Sequence, residues 1–164
     1  MNIVLINPQI PQNTGNIART CAATGTSLHL VRPLGFSTDD RSLKRAGLDY
    51  WDLLDVHYYQ DITDFLEKHG KTELRFFTTK APRSYAEMTY SPDSYLVFGA
   101  ETTGLPEELL IKYPESCCRI PMIGESRSLN LSNSAAIAVY EALRQTDFEG
   151  LKEDGDLHRL SWPE

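Results

Sequence analysis

The chain has 164 residues, 41% of them hydrophobic and 24% charged, as expected of one globular domain with a core of ordinary size. Its net charge of -7 and pI near 5.1 argue against bulk, sequence-independent nucleic-acid binding, which rests on many cationic contacts to phosphate. They leave room for a local basic patch, or for two such patches pooled in a dimer. No apolar run approaches the roughly 18 residues of a membrane span. The start, Met1-Asn2-Ile3-Val4-Leu5-Ile6, reads as a first strand rather than a basic leader with a cleavage site. Three cysteines, Cys21, Cys117 and Cys118, are odd in number and lack metal-ligand spacing, so reduced thiols in a cytoplasmic protein are expected.

The apolar run 2–7 predicts strand one, stopped by Asn7-Pro8. Residues 8–16, with two prolines and Gly15, read as a loop. A helix is predicted over 17–23, with Gly25 as its C-cap. Strands are expected at 28–31, 55–59, 74–79 and 95–98, with a short last one at 118–120. Asp39-Asp40 could start a helix through 47, and 62–69 reads as another ending before Gly70. Pro106 stands where the first turn of a helix tolerates proline, ahead of 107–112. The strongest helix is 134–145. Residues 147–164 form an acidic tail that docks through Trp162 or frays. Alternating strands and helices predict an α/β fold with a mostly parallel sheet and helices on both faces, and ligands at the carboxyl ends of its strands.

Three loops at such ends carry more polar and glycine residues than turns require. Around 120–134, Ser126, Ser128, Asn130, Ser132 and Asn133 exceed the one side chain that caps a helix start, pointing to a ligand held by backbone and hydroxyl groups. In Phe98-Gly-Ala-Glu-Thr-Thr-Gly-Leu105, Gly99 would admit a ligand close to the backbone, and Glu101 could accept hydrogen bonds. Leu105-Pro106 stands where a P-loop needs Lys-Ser/Thr, which argues against ATP-type binding. In Asn13-Thr-Gly15-Asn16-Ile-Ala-Arg19, either asparagine could cap the following helix. An arginine near the helix start gains nothing from the dipole, so Arg19 serves either a salt bridge or a substrate phosphate, carboxylate or hydroxyl. Arg41, Lys44 and Arg45 put three cations on one side of any helix there, as a solvated face or an RNA contact. Tyr50-Trp51 could stack on bases or belong to the core, and Lys80 could meet a phosphate. His29 reads as a buried structural histidine.

Taken together, Asn-x-Gly-Asn-x-x-Arg at 13–19, Phe-Gly-x-Glu-x-x-Gly-Leu at 98–105 and Ile-Pro-Met with Ser-x-Asn-x-Ser at 120–132 resemble the SPOUT superfamily of RNA methyltransferases. The resemblance covers nearly the whole chain. It is nearest the small, extension-free group that methylates the ribose 2'-hydroxyl of the tRNA wobble nucleotide, cytidine or uridine 34. Arg45-Ala-Gly-Leu-Asp-Tyr50 and the run from Leu129 to Tyr140-Glu141 also match that group.

The resemblance implies one SPOUT domain over 1–164 with a C-terminal trefoil knot, an exception to unknotted connections. It implies S-adenosylmethionine as cofactor, held by Phe77, Gly99, Ile120, Ser128, Leu129 and Asn130. It implies a homodimer with shared active sites, in which Arg19 of one subunit reaches the other's cofactor, with Asn13, Glu101, Ser128 and Asn130 as supporting polar residues. The tRNA anticodon stem-loop is the implied partner, with Arg41, Lys44, Arg45, Lys80 and Tyr140 as RNA contacts; neither metal nor membrane is expected. Three rivals stay open on sequence: the same chemistry on ribosomal RNA or another tRNA position, a non-catalytic RNA-binding module, and an ordinary nucleotide-binding enzyme.

Overall fold

A computed structural model describes residues 1–37, 51, 54–124 and 128–163. Among them, six strands form one parallel sheet in the order β3-β2-β1-β5-β4-β6. The strands are β1 (Asn2–Ile6), β2 (Ser27–Val31), β3 (Val56–Tyr59), β4 (Leu74–Phe77), β5 (Tyr95–Phe98) and β6 (Cys117–Cys118). The chain starts at the centre in β1, steps outward through β2 and β3, then crosses to the other side. There β5 lies between β1 and β4, and β6 forms the far edge.

Strand alternation divides the core between two faces. Ile3, Leu5, Leu28, Leu30, Leu96 and Phe98 pack with α1 (Pro11–Thr24) and α4 (Leu131–Gln145). Val4, Ile6, Val31, Phe76 and Val97 pack with α2 (Ile62–His69) and the short α3 (Glu107–Leu110). The predicted α/β sheet covered on both faces is thus the observed one. No helix among the described residues is long and apolar enough to cross a membrane.

The largest departure from the predicted elements is α1, which begins at Pro11 rather than residue 17. Proline is tolerated at a first helical position, and Ile10, the residue before it, makes no side-chain cap. The expected caps, Asn13 and Asn16, lie inside the helix. The backbone N–H groups of Gln9 and Ile10 are instead satisfied by the carboxylate of Glu101, at 2.8 and 3.1 Å. Arg19 consequently stands beyond the first turns of α1, and the dipole argument for its placement falls away. At the other end Gly25 is the predicted C-cap, with φ 66° and its N–H donating to Cys21 O.

His29 is the predicted structural histidine. It is 2% exposed, with Nδ1 2.8 Å from Tyr59 Oη and Nε2 3.0 Å from Asn2 Oδ1. Burial pushes its pKa down to about 3. Trp51 packs against the core, the alternative to base stacking, whereas Tyr50 and the helix proposed through 39–47 lie outside the described residues. The tail splits: Phe148 and Leu151 pack on the α1–α4 face, but Trp162 is 64% exposed and donates its indole N–H to Gly155 O, within the tail. Cys21, Cys117 and Cys118 are free and buried.

Candidate active site

The loops after β1, β4, β5 and β6 meet at the carboxyl ends of the strands, beside the β1/β5 boundary where the strand order reverses. The loop after β5 is a closed turn. Gly104 N–H donates to Ala100 O at 2.8 Å, and Gly104 adopts φ 68°. A Cβ on Gly99 would lie 2.1 Å from the carbonyl carbon of Gly104. The missing side chain at Gly99 thus admits the chain's own backbone at Gly104 and Leu105, and Gly99 also lines the cleft described below.

This turn presents Glu101 to two other loops. Besides the two backbone donors before α1, its Oε1 accepts from Asn13 Nδ2 at 3.0 Å. Asn13 Oδ1 in turn accepts from Asn130 Nδ2 at 2.9 Å. Asn130 is the N-cap of α4, its Oδ1 accepting from the N–H groups of Ser132 and Asn133 and from the Ser132 hydroxyl. The Ser134 hydroxyl donates to Asn130 O. Much of the polar surplus noted around 130 thus builds the cap itself. Each amide uses both its donor and its acceptor end, so the chain Asn130–Asn13–Glu101 fixes three loops relative to one another.

Around this chain lies a cleft of about 550 Å³. Phe77 and Phe98 stand at the strand ends with ring centroids 4.8 Å apart and nearly parallel. Apolar side chains of Ile120, Met122, Leu129 and Leu131 share the walls with segments 78–80 and 99–105. Leu129 is 38% exposed, an apolar surface left for something to cover. At the rim, Lys80 Nζ pairs with Glu107 Oε1 at 2.6 Å, and this hydrogen bond lowers the pKa of the Glu107 carboxyl. The pair joins the loop after β4 to the start of α3. A site of this volume, with aromatic and aliphatic walls and convergent polar groups, suits a nucleoside-sized ligand with a polar end. Among the described residues, no group of His, Cys, Asp and Glu is arranged to hold a metal ion.

Phe77, Gly99, Ile120, Ser128, Leu129 and Asn130 all line this cleft, as do Asn13, Glu101 and Lys80. Arg19 is exposed on α1 and does not line the cleft of its own chain. Tyr140 is 49% exposed on α4, also outside it. Arg41, Lys44, Arg45 and Ser126 lie outside the described residues. Sequence reasoning missed Ile10 and Thr102. Ile10 reaches the cleft because Glu101 holds its N–H, and the Thr102 hydroxyl donates to Gln9 Oε1 at 2.7 Å. Neither pairing leaves a local signal, since the partners are more than 90 residues apart.

A family model described as the SpoU rRNA Methylase family matches residues 1–140. The tRNA (cytidine(34)-2'-O)-methyltransferase of Escherichia coli (strain K12) is 47% identical over 151 residues, covering 92% of this chain and 96% of that protein. A solved structure described as "Structural insights into the 2-OH methylation of C/U34 on tRNA" is similar with TM-score 0.85 and 45% identity, over 89% of this chain and 95% of that one. The AdoMet-bound rRNA methyltransferase from Sinorhizobium meliloti has TM-score 0.77 and 26% identity, over 87% of this chain and 55% of that one. The likeness read from the motifs at 13–19, 98–105 and 120–132 is borne out, and the chain belongs to the SpoU rRNA methylase family of SPOUT methyltransferases.

Proposed function

We propose that the protein methylates the ribose 2'-hydroxyl of the tRNA wobble nucleotide, cytidine or uridine 34, using S-adenosylmethionine. The observation that carries this reading is the near-full-length match to a tRNA (cytidine(34)-2'-O)-methyltransferase, together with the convergence of its three motif loops on one cleft. In the proposal the cleft takes S-adenosylmethionine, with Phe77, Gly99, Ile120, Ser128, Leu129 and Asn130 around it. Bound there, the cofactor supplies a sulfonium methyl already activated for transfer.

The chain's own residues then have two tasks. A ribose hydroxyl is a poor nucleophile near neutral pH, so it must be aligned with the methyl and relieved of one proton. An arginine guanidinium is normally fixed in its charged form. We assign Arg19 the stabilisation of the developing alkoxide or the clamping of its phosphate, not proton abstraction. Because Arg19 does not line its own cleft, the proposal includes a homodimer in which it serves the partner's site. Asn13, Glu101 and Asn130 hold the loops in register, and Ser128 is a supporting polar group. Lys80, Tyr140 and the sequence cluster Arg41, Lys44 and Arg45 receive the anticodon stem-loop. A single domain over 1–164, a C-terminal trefoil knot and a cytoplasmic location complete the proposal.

The test is incubation with S-adenosylmethionine and unmodified bulk tRNA, followed by nucleoside mass spectrometry with position mapping. A 2'-O-methyl mark at position 34 is expected. A mark elsewhere would keep the chemistry and discard the wobble assignment; no mark and no cofactor binding would discard both.

A further inference from the structure

A second hollow, of about 490 Å³, opens at the carboxyl ends of β2 and β3, lined by Arg32, Pro33, Leu34, Phe36, Ser37 and Gln60. It lies at the same end of the parallel sheet as the cleft. The segment 8–10 touches both sides: Pro8 O accepts the N–H of Gly35 at 2.9 Å, while Ile10 lines the cleft. Gly35 is required there, because a Cβ would meet Gln9 Cα at 2.7 Å. With β5, β1 and β2 adjacent, the two hollows are about two strand spacings apart, roughly 10 Å.

The groups in this hollow form a consistent set. The Arg32 guanidinium stands 5.9 Å from the Tyr58 ring centroid, which steadies its plane without neutralising its charge. Lys80 at the cleft and Arg83 are paired with Glu107 and Glu115, but Arg32 makes none of the ion pairs found among the described residues. On a chain of net charge -7, a cation with no carboxylate partner among the described residues, beside an open hollow, favours an anionic partner. Phe36 offers an aromatic surface. Gln60 offers an amide that can both donate and accept, its backbone held by a hydrogen bond from its N–H to Asp64 Oδ2 at 3.1 Å. A planar cation, an aromatic ring and a bifunctional amide match the phosphate, base face and base edge of one nucleotide.

We propose that this hollow is a subsite for an RNA nucleotide flanking the methylated one, with Arg32 holding its phosphate or stacking on its base and Gln60 reading the base edge. The inference rests on the reading of the cleft as an RNA methyltransferase site, and adds a specificity element to it.

The experiment uses the full chain, S-adenosylmethionine and unmodified anticodon stem-loop RNAs that differ in the nucleotides flanking position 34. Anisotropy measures RNA affinity without chemistry, and initial rates give KM and kcat. Arg32→Gln should raise KM and Kd for RNA about tenfold, with kcat and cofactor affinity unchanged, and should lower the slope of log K against log salt by about one. Arg32→Lys should keep that slope. Gln60→Ala should narrow the rate differences among the stem-loops. Both residues are exposed, so unfolding midpoints should not move. Unchanged KM and Kd in Arg32→Gln, with flanking preferences intact in Gln60→Ala, would overturn the subsite. Arg32-dependent RNA binding by a protein that leaves nucleotide 34 unmethylated would keep the subsite and overturn the wobble assignment instead.

Discussion

Glu101 and Arg19, both motif residues, stand in different relations to the cleft. Glu101 holds three donors, from Gln9, Ile10 and Asn13, and so builds the cleft wall. Glu101→Gln turns one acceptor into a donor facing those groups. It should cost about 1–3 kcal/mol in urea unfolding, as for partners left unsatisfied, and should weaken cofactor binding. Arg19 is exposed and stands apart from the cleft lining. Arg19→Ala should change stability by no more than about 0.5 kcal/mol and leave cofactor affinity intact, while single-turnover methyl transfer falls about 100-fold or more. Calorimetric titration separates the two effects: lost cofactor affinity in Arg19→Ala would undo the division of roles.

Among the elements, β2, β3 and α2 are joined by a polar relay inside an aromatic cluster. Asn2 Oδ1 assigns the proton of His29 to Nε2, so Nδ1 accepts from the Tyr59 hydroxyl, and that oxygen accepts from His69 Nε2 at 2.9 Å. Every group is satisfied with His29 neutral. A second proton would strip Tyr59 of its acceptor, bring a charge into a buried site and set it beside His57, stacked at 4.6 Å. Burial lowers the pKa of His69 as well. The folded values lie below the unfolded value of about 6.5. Their contribution to stability is therefore complete above about pH 6.5 and is lost as pH falls towards the folded values. Urea unfolding should show stability dropping by about 1.4 kcal/mol per pH unit for His29 alone between pH 6 and 5. Carboxyls such as Asp55, already held below their usual range by hydrogen bonds from His57 and Ser27, stay ionised there. His29→Gln should flatten the slope; an unchanged slope would place the titrating group elsewhere.

The strands and α2 were legible because their apolar runs and stop signals are local: β5 is 95–98 and α2 is 62–69, as predicted. The start of α1 was not, because the N–H groups just ahead of it, of Gln9 and Ile10, are met by a carboxylate far along the chain. The three motif loops could be chosen from their excess of small polar residues. Which of those residues face a ligand and which cap or brace the loops depended on tertiary pairings such as Asn13 with Asn130.

For the whole molecule, the proposed shared site predicts complementation between subunits. Mixing Arg19→Ala with Asn130→Ala, each inactive alone, should restore about a quarter of the wild-type rate through statistical heterodimers with one intact site. Recovery should vanish at protein concentrations where sedimentation finds monomers only. No recovery from a demonstrably mixed dimer would return Arg19 to its own chain's site. Net charge of -7 also makes RNA binding depend on a few cations, so methylation should fall steeply with added salt.

The most direct measurement of the central claim is transfer of labelled methyl from S-adenosylmethionine to an anticodon stem-loop carrying cytidine 34, beside the same RNA with 2'-deoxycytidine at that one position. Label should enter the first RNA and not the second, with both bound equally. Equal labelling of the two would contradict methylation of the wobble ribose.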